Sequence, residues 1–210
     1  GFYIARAEFR EPVFEAYFFH LNRGRSIFLR TLHGETILID GGQNSEVIRE
    51  LSKVLPFYKR RIDTVIVTSA LAKNSGGLIE VLERYEVKRV IEPALLGTST
   101  AFAAFEKVLE KKGLQPEKMK KGDTYDIDGV KFTVLFPDPG FKYNKTSVPE
   151  LVLKVEYGSN TLVFLGDVSK TVQKSFLNDL DRAYLIEYAH GATKSRVSAD
   201  LVSKLDPKVI

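Results

Sequence analysis

Apolar residues along this chain come in short runs, and the spacing within the runs changes repeatedly between the period of a strand and that of a helix. FEAYFFHL (14–21), RSIFLRT (25–31) and ETILID (35–40) are dense in aromatic and β-branched residues and predict strands, the last two joined at LHG. SEVIRELSKVL (45–55) puts Leu51, Val54 and Leu55 on one side of a helix, with Ser45 placed as its N-cap. DTVIVT (63–68) predicts a buried strand, TSALAKNSGG (68–77) a loop, GGLIEVLERYEV (76–87) a helix and KRVIEP (88–93) a further strand. A third helix spans about 102–112 and stops at Gly113.

The second half repeats this alternation. DTYDI (123–127) and VKFTVLFP (130–137) flank Asp128-Gly129, a hairpin turn, and ELVLKVEYGSNTLVFLGD (150–167) reads as two strands about residues 158–160. Between them, residues 137–149 form a loop rich in Pro, Gly and Asn. Helix KTVQKSFLNDL (170–180), strand AYLIEY (183–188), loop AHGATKS (189–195), helix RVSADLVSKL (196–205) and strand PKVI (207–210) complete the pattern. EKMKKGD (117–123) reads as a solvated connector, and GFYIARAEF (1–9) as an edge strand or the trailing end of a membrane helix. Two strand-rich halves, each with helices interposed, predict an α/β protein of four layers, an αββα sandwich. Residues 1–210 read as a single domain, and the abrupt stop of the final strand at Ile210 predicts that the last C-terminal elements of the fold lie beyond it.

Composition narrows the function classes. A 210-residue chain that is 44% hydrophobic and 28% charged is that of an ordinary globular protein, and no apolar run is long enough to span a bilayer. The absence of Cys excludes disulfides and thiolate metal sites. A net charge of +4 permits attraction to phosphate without demanding it. Ser69 has no His within motif reach and no G-x-S-x-G elbow surrounds it, and neither a P-loop nor a dinucleotide fingerprint occurs.

The segments GETILIDGG (34–42), IDTVIVTSALAKNSGGLIEVLERYEVKRVIEP (62–93), LVFLGDV (162–168) and AHGATKS (189–195) resemble, in order and spacing, the metallo-β-lactamase fold. Within that superfamily the chain is most similar to the soluble domain of ComEC-type DNA-uptake proteins, whose FLDVGQGDAILI stretch FFHLNRGRSIFL (18–29) resembles in length and apolar pattern. The resemblance implies a zinc-dependent nuclease or phosphodiesterase beside a membrane channel. It further implies a fragment of a larger bacterial cell membrane protein, with this domain soluble and extracytoplasmic; a stand-alone chain would be cytoplasmic. Its implied partners are single- or double-stranded DNA and the channel part of the same protein, with no small-molecule cofactor.

The family's metal loop, T-H-x-H-x-D-H-x-G-G, is matched here at Thr68, Gly76 and Gly77 but not at its ligands. Ser69 and Leu71 stand at its first two His, Lys73 at its Asp and Asn74 at its third His; Asp167 matches the bridging carboxylate, and His190 follows Ala189 where the family has His-His. Upstream, His20 and Arg25 stand for two Asp, and Arg23 for a Gln. A catalytic zinc needs three protein ligands and an open position. An ammonium at a ligand position repels Zn²⁺, and so Lys73 is expected to pair with Asp167 or Asp40 and replace the ion by a salt bridge.

The plainer readings stand beside this one. Asp40 orients a loop through backbone N–H groups, Asp167 caps the helix beginning near Ser169, His190 is a structural loop histidine, and Ala70, Leu71 and Ala72 fill space. Arg23, Arg25, Lys73, Lys194 and Arg196 are the candidate DNA contacts, against the alternative of scattered solvated cations. The expectation is a metal-free pseudoenzyme domain with a structural or DNA-handling role. The alternatives are an active metal-dependent hydrolase with a rearranged site built on His20, Asp167 and His190, and a protein-interaction scaffold.

Overall fold

Strands that are apolar on both faces must be covered on both faces. The computed structural model describes residues 13–94, 99–138, 150–188 and 197–210, and its strands form two sheets that meet this requirement. The first contains β1 (Glu15–Phe19), β2 (Ser26–Arg30), β3 (Thr36–Ile39), β4 (Arg61–Ile66), β5 (Glu86–Pro93) and β6 (Glu117–Met119), side by side in that order. β1 to β3 are antiparallel, and β3 to β6 are parallel. Helices α1 (Glu46–Val54), α2 (Ala72–Ser75), α3 (Leu78–Arg84) and α4 (Thr100–Lys111) are interposed. The second sheet runs β11-β10-β9-β8-β7, from β7 (Thr124–Ile127), β8 (Val130–Phe136), β9 (Val152–Tyr157), β10 (Asn160–Gly166) and β11 (Leu185–Tyr188). α5 (Lys170–Ser175), a short 3₁₀ turn (Leu177–Asp179) and α6 (Ala199–Leu205) accompany it.

The two-residue period of each strand sorts its side chains into separate cores. In β2 and β3, Ile27, Leu29, Ile37 and Ile39 face the second sheet, where they meet Phe132, Leu153, Val155 and Phe164. Phe28 and Leu38 point the other way, against Leu51 of α1, Leu78 and Leu82 of α3, and Phe102 and Phe105 of α4. β10 divides likewise: Leu162 and Phe164 face inward, while Val163 and Leu165 pack on Val172, Phe176, Leu201 and Leu205. Three cores between four layers make the αββα sandwich predicted from the sequence.

Several boundaries differ from the sequence reading. EKMKKGD is not a connector throughout: Glu117–Met119 is strand β6, paired with β5, and Met119 is fully buried. Ser45 makes no side-chain cap bond on α1; Asn44 Oδ1 accepts from the Glu46 N–H instead. The helix expected over 76–87 is shorter, α3 giving way at Tyr85 to β5. PKVI contributes only an isolated bridge, Val209 to Leu185. The Asp128-Gly129 turn forms with both residues at positive φ (54° and 77°), the geometry a two-residue hairpin requires. Residues 1–9 and the loop AHGATKS lie outside the described residues.

Candidate functional site

β3 and β4 of one sheet and β10 and β11 of the other all end at the same edge of the sandwich, and their C-terminal residues converge there. In open α/β sheets this is where ligand chemistry is placed. β3 delivers Asp40, β4 leads into Thr68 and Ser69, β10 leads into Asp167, and β11 carries Glu187. Glu150, just before β9, completes the set.

At the centre lies Arg25, only 6% exposed. Its Nε donates to Asp40 Oδ2 at 3.0 Å, its Nη1 to Glu187 Oε2 at 2.7 Å and its Nη2 to Thr68 Oγ1 at 3.1 Å, with Glu150 Oε1 3.3 Å from Nη2. The guanidinium thus joins Asp40 and Thr68 of the first sheet to Glu150 and Glu187 of the second. Arg25 was expected at a DNA-contacting surface; burial, with all three nitrogens committed, removes it from that role. The backbone is shaped to this arrangement. Gly166 has φ +62°, and a Cβ there would fall 2.1 Å from Glu150 Oε1.

Asp40 itself sits at positive φ (59°), a conformation Asp tolerates better than most residues. Its Oδ1 accepts from the Thr68 N–H at 2.8 Å. Its Oδ2 accepts from Thr68 Oγ1 at 2.6 Å, Asn74 Nδ2 at 2.8 Å and Arg25 Nε. Asp40 thus accepts four hydrogen bonds, three of them crowded on Oδ2. It holds the backbone N–H of the segment after β4, with Arg25 as its cation. Asn74 also donates to Thr68 Oγ1 at 3.0 Å, while its own buried Oδ1 lacks a partner. Reversing the amide would set that oxygen against Asp40, so the orientation is fixed.

The outer part of the site is looser. Lys73 Nζ lies 2.7 Å from Asp167 Oδ2, with the two side chains 35% and 27% exposed. The cap of α5 is Ser169, accepting from the Val172 N–H, rather than Asp167. Ser69 is fully buried and lies 3.4 Å from the Leu71 N–H; Leu71, half-buried, precedes α2. His20 is exposed and lines, with Phe18, Arg25 and Glu187, a cavity of about 200 Å³. Arg23 is exposed, whereas His190, Lys194 and Arg196 lie outside the described residues.

Burial pushes the Glu150 and Glu187 carboxyls above the ordinary glutamate range, and the Arg25 charge offsets only part of this. Burial also works against the guanidinium charge, but Glu187, Glu150 and Asp40 outweigh it and hold Arg25 more firmly protonated than usual. Glu150 and Glu187 went unnoticed in the sequence. The one available signal was a carboxylate inside an apolar strand, as in LIEY.

The fold carries a zinc centre in the family it resembles, and the donors here fit such a centre poorly. Among the described residues no three His, Cys, Asp or Glu side chains are grouped to hold a metal ion. Asp40 already accepts four hydrogen bonds, Lys73 holds Asp167, and a permanently charged guanidinium stands among the remaining carboxylates. The orphaned Asn74 oxygen is one neutral acceptor, suited to a single donor.

No family model matches the chain. Over 210 residues it is 26% identical to ComE operon protein 3 of Bacillus subtilis (strain 168), covering 90% of this chain and 26% of that protein's length. The chain therefore spans about a quarter of this curated relative. Among solved structures it is similar to the metallo-β-lactamase fold protein YhfI from Bacillus subtilis, with a TM-score of 0.61, 13% identity and coverage of 91% and 90%. It is also similar to a Cronobacter sakazakii metallo-β-lactamase with a HARLDQ motif, with a TM-score of 0.55, 16% identity and coverage of 84% and 75%. These likenesses show that the chain has the metallo-β-lactamase fold.

Proposed function

We propose, from the metallo-β-lactamase fold as premise, that this chain is a metal-free, non-hydrolytic domain with a structural or DNA-handling role in DNA uptake. The observation that carries the reading is the Arg25 hub. A fixed cation shared by Asp40, Glu150 and Glu187 bridges the two sheets at the edge where the family places its ions. Lys73 repeats the device on Asp167. Removing a cation from a buried set of carboxylates costs several kcal/mol per uncompensated charge, on the order of 3–5. Two built-in cations supply that compensation without an ion and leave no metal-activated water to attack a phosphodiester. Kinship with ComE operon protein 3 supports the DNA-uptake setting. Arg23, exposed, and Lys73, at the rim, remain the candidate DNA contacts among the described residues.

Zinc incubation followed by dialysis and metal quantification tests the first part, alongside a phosphodiester cleavage assay with Zn²⁺ and with Mn²⁺. Zinc well below one equivalent and cleavage at the blank rate are expected. Stoichiometric zinc with zinc-dependent cleavage would restore the hydrolase alternative. Retention of single-stranded DNA at low salt tests the second part, and Arg23→Ala should lower the salt slope by about one. No retention at low salt would leave the structural role alone.

A further inference from the structure

A basic segment lies at the end of the sandwich opposite the Arg25 cluster. Residues 49–61, RELSKVLPFYKRR, hold Arg49, Lys53, Lys59, Arg60 and Arg61 against Glu50. Their net charge is +4. The segment runs from α1 to the start of β4, and the site lies past the other end of that strand, roughly 20 Å away.

At its apex is a tight turn. The Lys59 N–H donates to the Pro56 carbonyl at 2.9 Å, which places Phe57 and Tyr58 at the two corner positions and turns both outward. Phe57 is 87% exposed and Tyr58 74%, the most exposed large apolar residues among those described. Their rings meet edge to face, with centroids 5.5 Å apart and planes at 83°. Lys59 Nζ donates to the Gly34 carbonyl and ties the turn to the β2–β3 corner. Arg49 and Lys53 share Glu50, and Arg61 bonds Asp63, whereas neither Lys59 nor Arg60 pairs with a carboxylate among the described residues.

We propose that the Phe57–Tyr58 turn is an interfacial anchor that docks this end of the domain onto the surface of an anionic lipid bilayer. Aromatic rings settle at the headgroup level of a bilayer, and Lys and Arg beside them that have no carboxylate partner are drawn to anionic phosphates. A nucleic acid strand fits the tip less well. Stacking of bases needs open ring faces along a groove, and here the tip is convex and one ring's edge covers the other's face. The proposal does not rest on the DNA-uptake reading.

The chain contains no Trp, so Phe57→Trp introduces a sole indole reporter at an exposed position where packing is not disturbed. Titration with phosphatidylcholine–phosphatidylglycerol vesicles should shift its emission to the blue and shield it from an aqueous quencher. The shift should be much smaller with phosphatidylcholine alone and should reverse at high salt. Lys59→Glu with Arg60→Glu in that background should lower the partition coefficient on the order of thirtyfold or more. Tyr58→Ser should weaken partition further while leaving its salt dependence in place. An emission that stays unshifted on anionic vesicles overturns the proposal, as does a partition indifferent to the double charge reversal. A shift produced by a single-stranded oligonucleotide and not by vesicles would reassign the tip to nucleic acid.

Discussion

The Arg25 hub and the Lys73–Asp167 pair lie in one site, yet one is almost wholly buried and the other is partly exposed. Arg25 spends its planar fork on three carboxylates and a hydroxyl drawn from both sheets, at 6% exposure. Lys73 makes one contact to one carboxylate, with about a third of its side chain in solvent. The chemistry matches the locations: a guanidinium is always charged and satisfies several acceptors in fixed directions, while an ammonium is a compact, strongly hydrated point charge. Two cations of the same sign in one site therefore differ in what they hold together. The inner one joins the halves of the sandwich, and the outer one neutralises a rim.

The largest test of that difference is Arg25→Ala. It leaves three carboxylates facing one another without a cation and should cost about 3–5 kcal/mol in chemical denaturation. Arg25→Lys keeps the charge but reaches fewer partners and should fall between the wild type and Arg25→Ala. If Arg25→Ala unfolded no more easily than Lys73→Ala, the distinction between buried and partly exposed pairs would collapse. Thr68→Val comes next. Its hydroxyl donates to Asp40 and accepts from Arg25 and Asn74 inside the buried network, so its loss strands those donors at about 1–3 kcal/mol.

A pH series sharpens the comparison without mutation. Glu150 and Glu187 are pushed up by burial, so above the ordinary glutamate range the folded state binds more protons than the unfolded state. Stability should then fall as pH rises through their raised values. On the acid side, Asp63 is held low, burial being outweighed by hydrogen bonds from Thr36 and by Arg61, and its contribution is lost as pH falls through its lowered value. The melting temperature should peak at mildly acidic pH rather than at neutrality. Glu187→Gln should flatten the fall on the alkaline side, as followed by calorimetry; an unchanged slope would remove Glu187 from the account.

The fold was legible because its strands are buried on both faces. Runs such as ILI, VIV and VFL, punctuated by Asp-Gly and Gly-Ser-Asn, leave few alternatives to stacked sheets under helices. β6 was missed because three residues with a single inward side chain, Met119, cannot display a period of two. The site was half legible. Lys73 stands in a segment, read as a loop and folded in part as α2, whose neighbours define its position, so its charge could be reasoned about. Arg25 looked like a surface cation because nothing local reveals its partners: Glu187 lies 162 positions away, on the last strand of the second sheet. Arg25, just before β2, and Lys73, in α2, each stand where the motif of the family that the chain resembles has an aspartate, and that was the available sign that both positions serve the same electrostatic end.

The smallest effect is expected for Lys73→Ala. Exposed pairs contribute about 0–1 kcal/mol, because water and salt screen both partners and holding a long side chain costs entropy. Asp167 is itself 27% exposed, so losing the ammonium leaves it partly hydrated rather than stranded. Lys73→Ala should thus shift the denaturation midpoint little, and less still at high salt, since the Debye length falls to about 3 Å at 1 M. Its sensitive readout is the metal, because removing the cation from beside Asp167 lifts a repulsion. Zinc retention that rises above the parent chain's in Lys73→Ala, with stability nearly unchanged, would show that the outer pair guards the site against ions while the inner hub carries the fold. A loss of several kcal/mol in Lys73→Ala would make the two regions equivalent and reverse the argument.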